Sequence, residues 1–537
     1  MTRWTRAGAA SRSPLFAALR RAVRLAAAAD APGAPPVAEL IEMRDERLTR
    51  RDFLRTSAAV AVTVGAQAIG GRFGAEALAA PARSSARVVV VGAGVAGLTA
   101  AYYLRKAGVR ATIYEAAQRH GGRIFSMRDV LGPGLITEFG GEFINSDHED
   151  VLALVKEFGL ELMDMQAPAE AGLKDAYFFG GRRYTEAEVV RAFRPVARRI
   201  AADLDALDER IDFRHPGGAT ALDRLSLSAY LERVGATGWL GQLLEVAYVT
   251  EFGLDAGEQS ALNFVTLVGT DLSEGFKIVG DSDERYKVRG GNQRITHALA
   301  SRLDGQIVLG HSLVAVRSRG RGFVLTFDRR GAGPLDVAAD VVVLAVPFTT
   351  LRDVGFGVAL PAFKLRAIRE LGYGTNAKLM HGLLERPWRA RGDSGAAYAD
   401  TGFQLCWDNS RAQPGPIGGI TLFSGGASGL LVGEGSVDDQ FARLLPGVER
   451  VFPGVQAART GKGARWHWPT YPFTRGSYAC YKPGQWTAIR GAEAAPVGNL
   501  FFAGEHCSLD YQGYMNGGAE TGRLAAEAVQ RRLGVRT

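Results

Sequence analysis

Cysteine is nearly absent from this 537-residue chain, with Cys406, Cys480 and Cys507 the whole complement. None belongs to a C-x-x-C pair and the number is odd, so neither a metal site nor a disulfide framework is expected to organise the fold. Long apolar runs are missing too. No stretch of 18 or more apolar residues occurs, and no membrane span is expected. Lysine is missing from residues 1–82, where 12 Arg face 7 Asp and Glu for a net +5. The whole chain carries +8, so all the rest contributes only +3. The positive charge is therefore largely an N-terminal feature. The body shows no basic stripe interleaved with aromatics, and no nucleic-acid partner is expected. What is present is ordinary for a globular protein, 47% apolar and 22% charged residues. The length calls for two or more domains.

Residues 1–83 read as an N-terminal extension. Thr49-Arg50-Arg51-Asp52-Phe53-Leu54-Arg55 places two adjacent arginines before Phe-Leu, followed by a mildly apolar segment, Thr56 to Ile69. Small residues around Ala77-Leu78-Ala79 suit signal cleavage. This pattern resembles a twin-arginine signal peptide, and implies export through that machinery to the periplasm or beyond. That route carries folded cargo, so a cofactor could be bound before export.

The most informative stretch is Val88 to Arg123. Val88 to Val91 suits a strand buried on both faces. Gly92, Gly94 and Gly97 follow in G-x-G-x-x-G spacing, for a tight turn, close approach of backbone to a pyrophosphate, and close helix packing. A helix from Leu98 to Lys106 points its positive end at the phosphates and stops at Gly108. A second strand, Arg110 to Tyr114, ends at Glu115, an acid placed to accept from ribose hydroxyls. The pattern fits a dinucleotide fold and by itself allows NAD or FAD.

Further along, His120-Gly121-Gly122-Arg123 offers backbone donors and a guanidinium to the same pyrophosphate. Gly140 and Gly141, within Thr137 to Phe143, suggest a close backbone approach to a ligand. Helical periodicity appears at Val151 to Phe158, Val189 to Leu204 and Leu225 to Val234, so 149–287 reads as a mainly helical insertion. A helix is expected from Gln293 to Leu303. Strands are expected at Ile307 to Leu309, Ser312 to Ser318, Gly322 to Phe327, Ala339 to Ala345, Ala377 to Leu384 and Gly419 to Ser424. The last helix is expected over Thr521 to Arg532. The interleaving implies an α/β chain of two discontinuous domains: 84–148, 288–350 and 495–537 form one, 149–287 and 351–494 the other.

GAGVAGLTAAYYL, Glu115 with Gly121-Gly122-Arg123, Glu138-Phe139-Gly140-Gly141, and FFAGEHCSLDYQGYMNGGAETGRLAA resemble the flavin-containing amine oxidase family, the monoamine, polyamine and L-amino acid oxidases. The resemblance runs from about residue 86 to the C-terminus. It implies a glutathione-reductase-type, Rossmann-like FAD domain interleaved with a mixed α+β substrate domain. It also implies that Gly92, Gly94, Ala96, Gly97 and Glu115 hold the ADP half of FAD. Gly122, Arg123, Gly140 and Gly141 lie along the cofactor, and Val314 offers its backbone to the adenine. Gly504 and Glu505 contact pyrophosphate and ribityl oxygens, and Met515 lies beside the ring system. Lys378 corresponds to a lysine that holds a water against the flavin, where a buried cation favours electron transfer to oxygen. Tyr478 and Tyr514 correspond to two aromatics flanking the substrate nitrogen.

Two features depart from the family pattern. Ser477 stands where some members carry a flavin-linked cysteine, which implies non-covalent FAD. No arginine follows Gly141 to pair with a substrate carboxylate, although Arg182, Arg183 or Arg285 could serve. His506, next to Glu505, is not expected to be a base. The resulting reading is an exported amine oxidase using O2. The alternatives are an L-amino acid oxidase or monooxygenase, a dehydrogenase with a periplasmic acceptor, and a flavin-binding assembly partner without turnover. A homodimer is left open.

Overall fold

Val88–Val91 is buried at all four positions because strands flank it on both edges. It pairs in parallel with Val341–Leu344 on one side and Ala111–Tyr114 on the other. Leu500–Phe502 and Ile307–Val308 complete a five-stranded parallel sheet. The computed structural model describes residues 86–535 apart from 171, 209, 268–282 and 330. The 1–83 extension and its twin-arginine segment lie outside the described residues.

The first turn runs from Val91 into helix Val95–Lys106, which begins three residues before the expected Leu98 and is capped at Gly108 in the left-handed region. Against this helix lies the C-terminal helix, Met515–Leu533. It starts six residues before the expected Thr521, because Gly517 and Gly518 are helical rather than part of the turn. The reason is packing. A Cβ at Gly518 would meet Val95 Cγ1 at 2.7 Å, and one at Gly522 would strike the Ala96 carbonyl oxygen. The glycines here bring two helices together, a role that propensity alone argues against.

A seven-stranded mixed sheet forms the second layer system, in the order Arg459–His467, Ala377–Leu383, Gly418–Ser424, Leu405–Asp408, Asp393–Ala399, Lys174–Phe179, Arg182–Tyr184. Its last two strands come from the stretch read as a helical insertion. That stretch does contain the long helices Glu186–Asp205 and Gly238–Phe252. Its strand Lys174–Phe179, however, pairs in parallel with Asp393–Ala399, more than two hundred residues away. A separate four-stranded sheet has the order Leu335–Ala339, Gly322–Arg329, His311–Arg319 and Gly355–Gly357. The expected strand Ala339 to Ala345 is in fact two, Leu335–Ala339 and Val341–Leu344, belonging to different sheets. No helix among the described residues is long and apolar enough to cross a membrane.

Candidate active site

The ends of the parallel strands, the two packed helices and the seven-stranded sheet enclose one cavity of about 510 Å³. At its dinucleotide end, Gly92 is left-handed (φ +101°), and an added Cβ would sit 2.5 Å from the Ala345 carbonyl oxygen. Gly94 and Gly122 face one another so closely that a Cβ on Gly122 would lie 3.1 Å from Gly94 Cα. Neither helix Val95–Lys106 nor Met515–Leu533 has a side-chain cap, and Val95, Ala96 and Met515 line the cavity. Two helix N-termini, each with partial positive charge, thus converge on it. Glu115 is already bonded, its two oxygens accepting from Ala93 N (2.7 Å) and Ala117 N (2.8 Å). Val314 occupies a bulge, between Leu313 and Ala315, in the ladder of His311–Arg319 with Gly322–Arg329. A bulge leaves backbone groups outside the ladder. His506 is buried, and its Nδ1 has no hydrogen-bond partner among the described residues although the residue lines the cavity. Burial pushes this imidazole down to about 4, so it is neutral at physiological pH.

All the residues expected to contact cofactor or substrate line this cavity except Gly97. Gly97 sits behind it, where a Cβ would overlap the Gly92 carbonyl oxygen. Arg123 donates to Glu505 Oε1 (2.7 Å) and to the Ser477 carbonyl (2.9 Å). Glu505 Oε2 accepts from Gly513 N at 2.8 Å. Glu505 is therefore tied to the protein at both oxygens and fixes the arginine. Gly140 packs over the Arg123 carbonyl, and a Cβ on Gly141 would lie 2.7 Å from Met515 Cγ.

At the other end of the cavity the main finding is a cluster that sequence reasoning missed. Lys378 donates to the carbonyl oxygens of Glu138 (3.0 Å) and Gly140 (2.9 Å) and to Glu142 Oε2 (2.7 Å). These three bonds use the three donors of its ammonium. The structure thus makes Lys378 a fixed positive charge in the cavity wall, with its donors committed to protein. Glu142 Oε1 accepts from Lys287 Nζ (2.6 Å) and Trp407 Nε1 (3.0 Å). Burial would raise the Glu142 carboxyl, but the ammoniums of Lys287 and Lys378 outweigh it and hold the group below its ordinary range. The one available signal for Glu142 was an ionisable residue directly after two glycines that abut a ligand. Nothing in the sequence marks Lys287, which reaches the site from strand Tyr286–Val288.

Tyr478 donates to the Glu251 carbonyl (3.0 Å), which fixes its ring in the cavity wall. Tyr514 lies at the N-cap of Met515–Leu533, its ring edge-on to His148 at 5.1 Å. Burial pushes His148 down to about 3, so it too is neutral. Three arginines line the cavity and each is engaged: Arg119 with the Gly122 carbonyl (2.6 Å), Arg123 with Glu505, and Arg475 with Asp353. Arg182, Arg183 and Arg285 pair with Glu188, Asp393 and Asp164, outside the cavity lining. Glu142 and Glu284 line the cavity as well.

Burial also raises Glu138 from 4.5 to about 7, and Glu493 likewise. A carboxyl whose folded-state value lies above its unfolded one adds stability below pH 4.5, lost as pH rises toward 7. At about 1.4 kcal/mol per pH unit, each group contributes on the order of 3 kcal/mol across that window. Apoprotein melting is expected to fall between pH 5 and pH 7.5, and Glu138→Gln to flatten the slope. A melting temperature that rises over this range would refute the assignment.

The profile of the flavin-containing amine oxidoreductases matches residues 95–530. An L-amino acid dehydrogenase of Synechocystis sp. is 25% identical over 478 residues, 84% of this chain and 96% of that one. A nicotine dehydrogenase of Pseudomonas putida is 26% identical over 500 residues, 91% of this chain and 98% of that one. Cyclohexylamine oxidase from Brevibacterium oxydans shares the fold, with a TM-score of 0.72 and 21% identity over 84% of this chain and 99% of that structure.

Proposed function

The chain belongs to the flavin-containing amine oxidoreductases, and on that premise we propose that it oxidises a primary or secondary amine lacking an α-carboxylate. The uncapped helix ends, the facing glycines Gly94 and Gly122, and the unpartnered His506 Nδ1 fit FAD, the family's cofactor. None of the three buried cysteines lines the cavity, and Ser477 does, which supports non-covalent binding. When bound, FAD takes a hydride from the carbon next to nitrogen and hands two electrons on. The chain's own residues place and select the amine. Tyr478 and Tyr514 supply an apolar slot that favours an uncharged nitrogen. His506, held neutral, adds no competing charge. The imine then hydrolyses to a carbonyl compound and ammonia or a smaller amine.

The observation that carries the amine reading is the engagement of the cavity arginines. A substrate carboxylate would find no free guanidinium, because every arginine that lines the cavity among the described residues is already bonded to protein. Tyramine is expected to bleach the flavin anaerobically and phenylalanine to fail to do so. The reverse order would reinstate the amino-acid reading.

O2 is the proposed electron acceptor, giving H2O2, with the Lys378 ammonium favouring charge build-up on oxygen. A second reading, a protein carrier as acceptor, is favoured by the commitment of all three Lys378 donors to protein. The reoxidation rate in air-saturated buffer separates the two. The Arg50-Arg51 segment supports export by the twin-arginine route. Retention of an R50K/R51K double variant in the cytoplasm would be the supporting result, and unchanged export would oppose it.

A further inference from the structure

We propose that a second concavity, outside the active-site cavity, binds a small diphosphate-bearing anion. The proposal goes beyond the amine-oxidising reading and does not depend on it.

This concavity, of about 350 Å³, is lined by the C-terminal end of helix Ala362–Glu370 and by residues around Arg352, Arg475 and Lys482. Its volume is that of a small-molecule site. Four cations line it, Arg352, Arg369, Arg475 and Lys482, against the single carboxylate of Glu370. Four cations less one carboxylate leave +3 around one concavity, as much as the whole chain after residue 82 sums to. Glu370 is moreover bonded to Arg366 at 2.9 Å, outside the lining.

Part of this charge serves the fold. The last carbonyls of a helix carry partial negative charge. Arg352 donates through Nε to the Ile368 carbonyl (3.0 Å) and through Nη2 to the Leu371 carbonyl (2.5 Å). One arginine meets that demand, and the remaining donors are largely unspent. Arg352 Nη1 has no acceptor among the described residues, and Arg369 has neither a hydrogen bond through its side chain nor an ion pair there. Lys482 reaches Glu258 only at 3.4 Å. Arg475 pairs with Asp353 through Nη1 alone. Its backbone adopts φ +48°, the left-handed region that a non-glycine residue rarely enters. Neighbouring bonds enforce this. Arg475 N donates to the Tyr471 carbonyl (2.9 Å), Gly476 N to the Trp468 carbonyl (3.2 Å), and Thr349 Oγ1 to the Thr474 carbonyl. Strain of this kind persists where the surroundings impose it, commonly at ligand sites. Guanidinium forks match phosphate oxygens in pairs. Two joined phosphates supply more charge and more acceptors than one, and so answer three guanidiniums and an ammonium better.

The test is titration calorimetry of the FAD-loaded protein, in which the active-site dinucleotide cradle is already filled. The probes are inorganic pyrophosphate and inorganic phosphate at fixed ionic strength. One pyrophosphate per chain is expected, bound roughly tenfold or more tightly than phosphate. Arg369→Gln and Lys482→Gln are each expected to weaken it by about tenfold, as for loss of a hydrogen bond between charged groups. Arg319→Gln, at an exposed arginine outside the lining, is expected to leave it unchanged. Asp353→Asn removes the acid beside Arg475 and is expected to tighten binding about threefold, a gain that misfolding cannot produce. No saturable binding up to about 10 mM pyrophosphate overturns the proposal. So does an affinity unchanged in both Arg369→Gln and Lys482→Gln, or one that Arg319→Gln lowers as much as they do.

Discussion

Glu142→Ala is expected to destabilise the protein by about 3–5 kcal/mol, the usual cost of removing one partner from a buried ion pair. Two lysines share this one carboxylate, at 2.6 and 2.7 Å, and all three side chains are at most 6% exposed. Removing the carboxylate leaves two ammoniums in a poorly solvated pocket with no counter-ion between them. Lys378 keeps its bonds to the Glu138 and Gly140 carbonyls, but Lys287 loses the sole hydrogen-bond partner its side chain has among the described residues. Lys287→Met alone is expected to cost less, since Glu142 keeps Lys378. The double variant Glu142→Ala/Lys287→Met, which deletes one charge of each sign, is expected to recover more than half of the loss. Chemical denaturation of apo- and holoprotein gives the cycle. A single-variant cost below about 1 kcal/mol would mean that the cluster is solvated and that the pairing matters little. Because Lys378 is also in the cavity wall, flavin reoxidation is expected to slow in any variant that lets it move.

Gly97→Ala is expected to give protein that folds poorly and purifies without flavin, although Gly97 does not line the cavity. A Cβ there would overlap the Gly92 carbonyl oxygen and press on Val90 Cγ1 at 3.2 Å. The clash is with backbone, so relief requires displacing the whole turn from Val91 into the helix. Gly94→Ala is a useful contrast. A Cβ on Gly94 has its nearest neighbour at 3.9 Å, which is ordinary contact, so the fold is expected to survive. The added methyl would occupy space beside the uncapped helix end, where the cofactor's phosphates are expected to lie. Flavin affinity is therefore expected to drop in both variants, by about tenfold or more, while unfolding free energy drops by about 2–4 kcal/mol only in Gly97→Ala. Equal melting temperatures for the two apoproteins would contradict this division of roles.

Much of the site could be read from the chain because its demands are local. Gly92, Gly94 and Gly97 act within one turn, and Val88–Val91 advertises a doubly buried strand by composition. Glu115 follows at the end of the next strand. Gly518 falls before the expected start of the last helix for the same local reason. Only the partner helix, touching it from more than four hundred residues away, shows why it is helical. The strand Lys174–Phe179 was hidden similarly. Its pairing with Asp393–Ala399 is a long-range event, and it sits among helices whose periodicity is stronger.

The sequence alone determined the dinucleotide fold, through Gly92, Gly94, Gly97 and Glu115 at short spacing, and its resemblance to the amine oxidases pointed to FAD and to Lys378, Tyr478 and Tyr514. Tertiary structure alone decided what surrounds them. It placed Glu142 between two lysines drawn from separate strands, engaged every cavity arginine elsewhere, and turned the strained Glu284 into the cavity. The contacts of Glu142, Arg123 and Arg475 join segments of the chain over a hundred residues apart. Their energies depend on burial and on distances of a few ångströms, neither of which is written in local composition. For that reason the chemistry was legible in the chain and the substrate's shape was not.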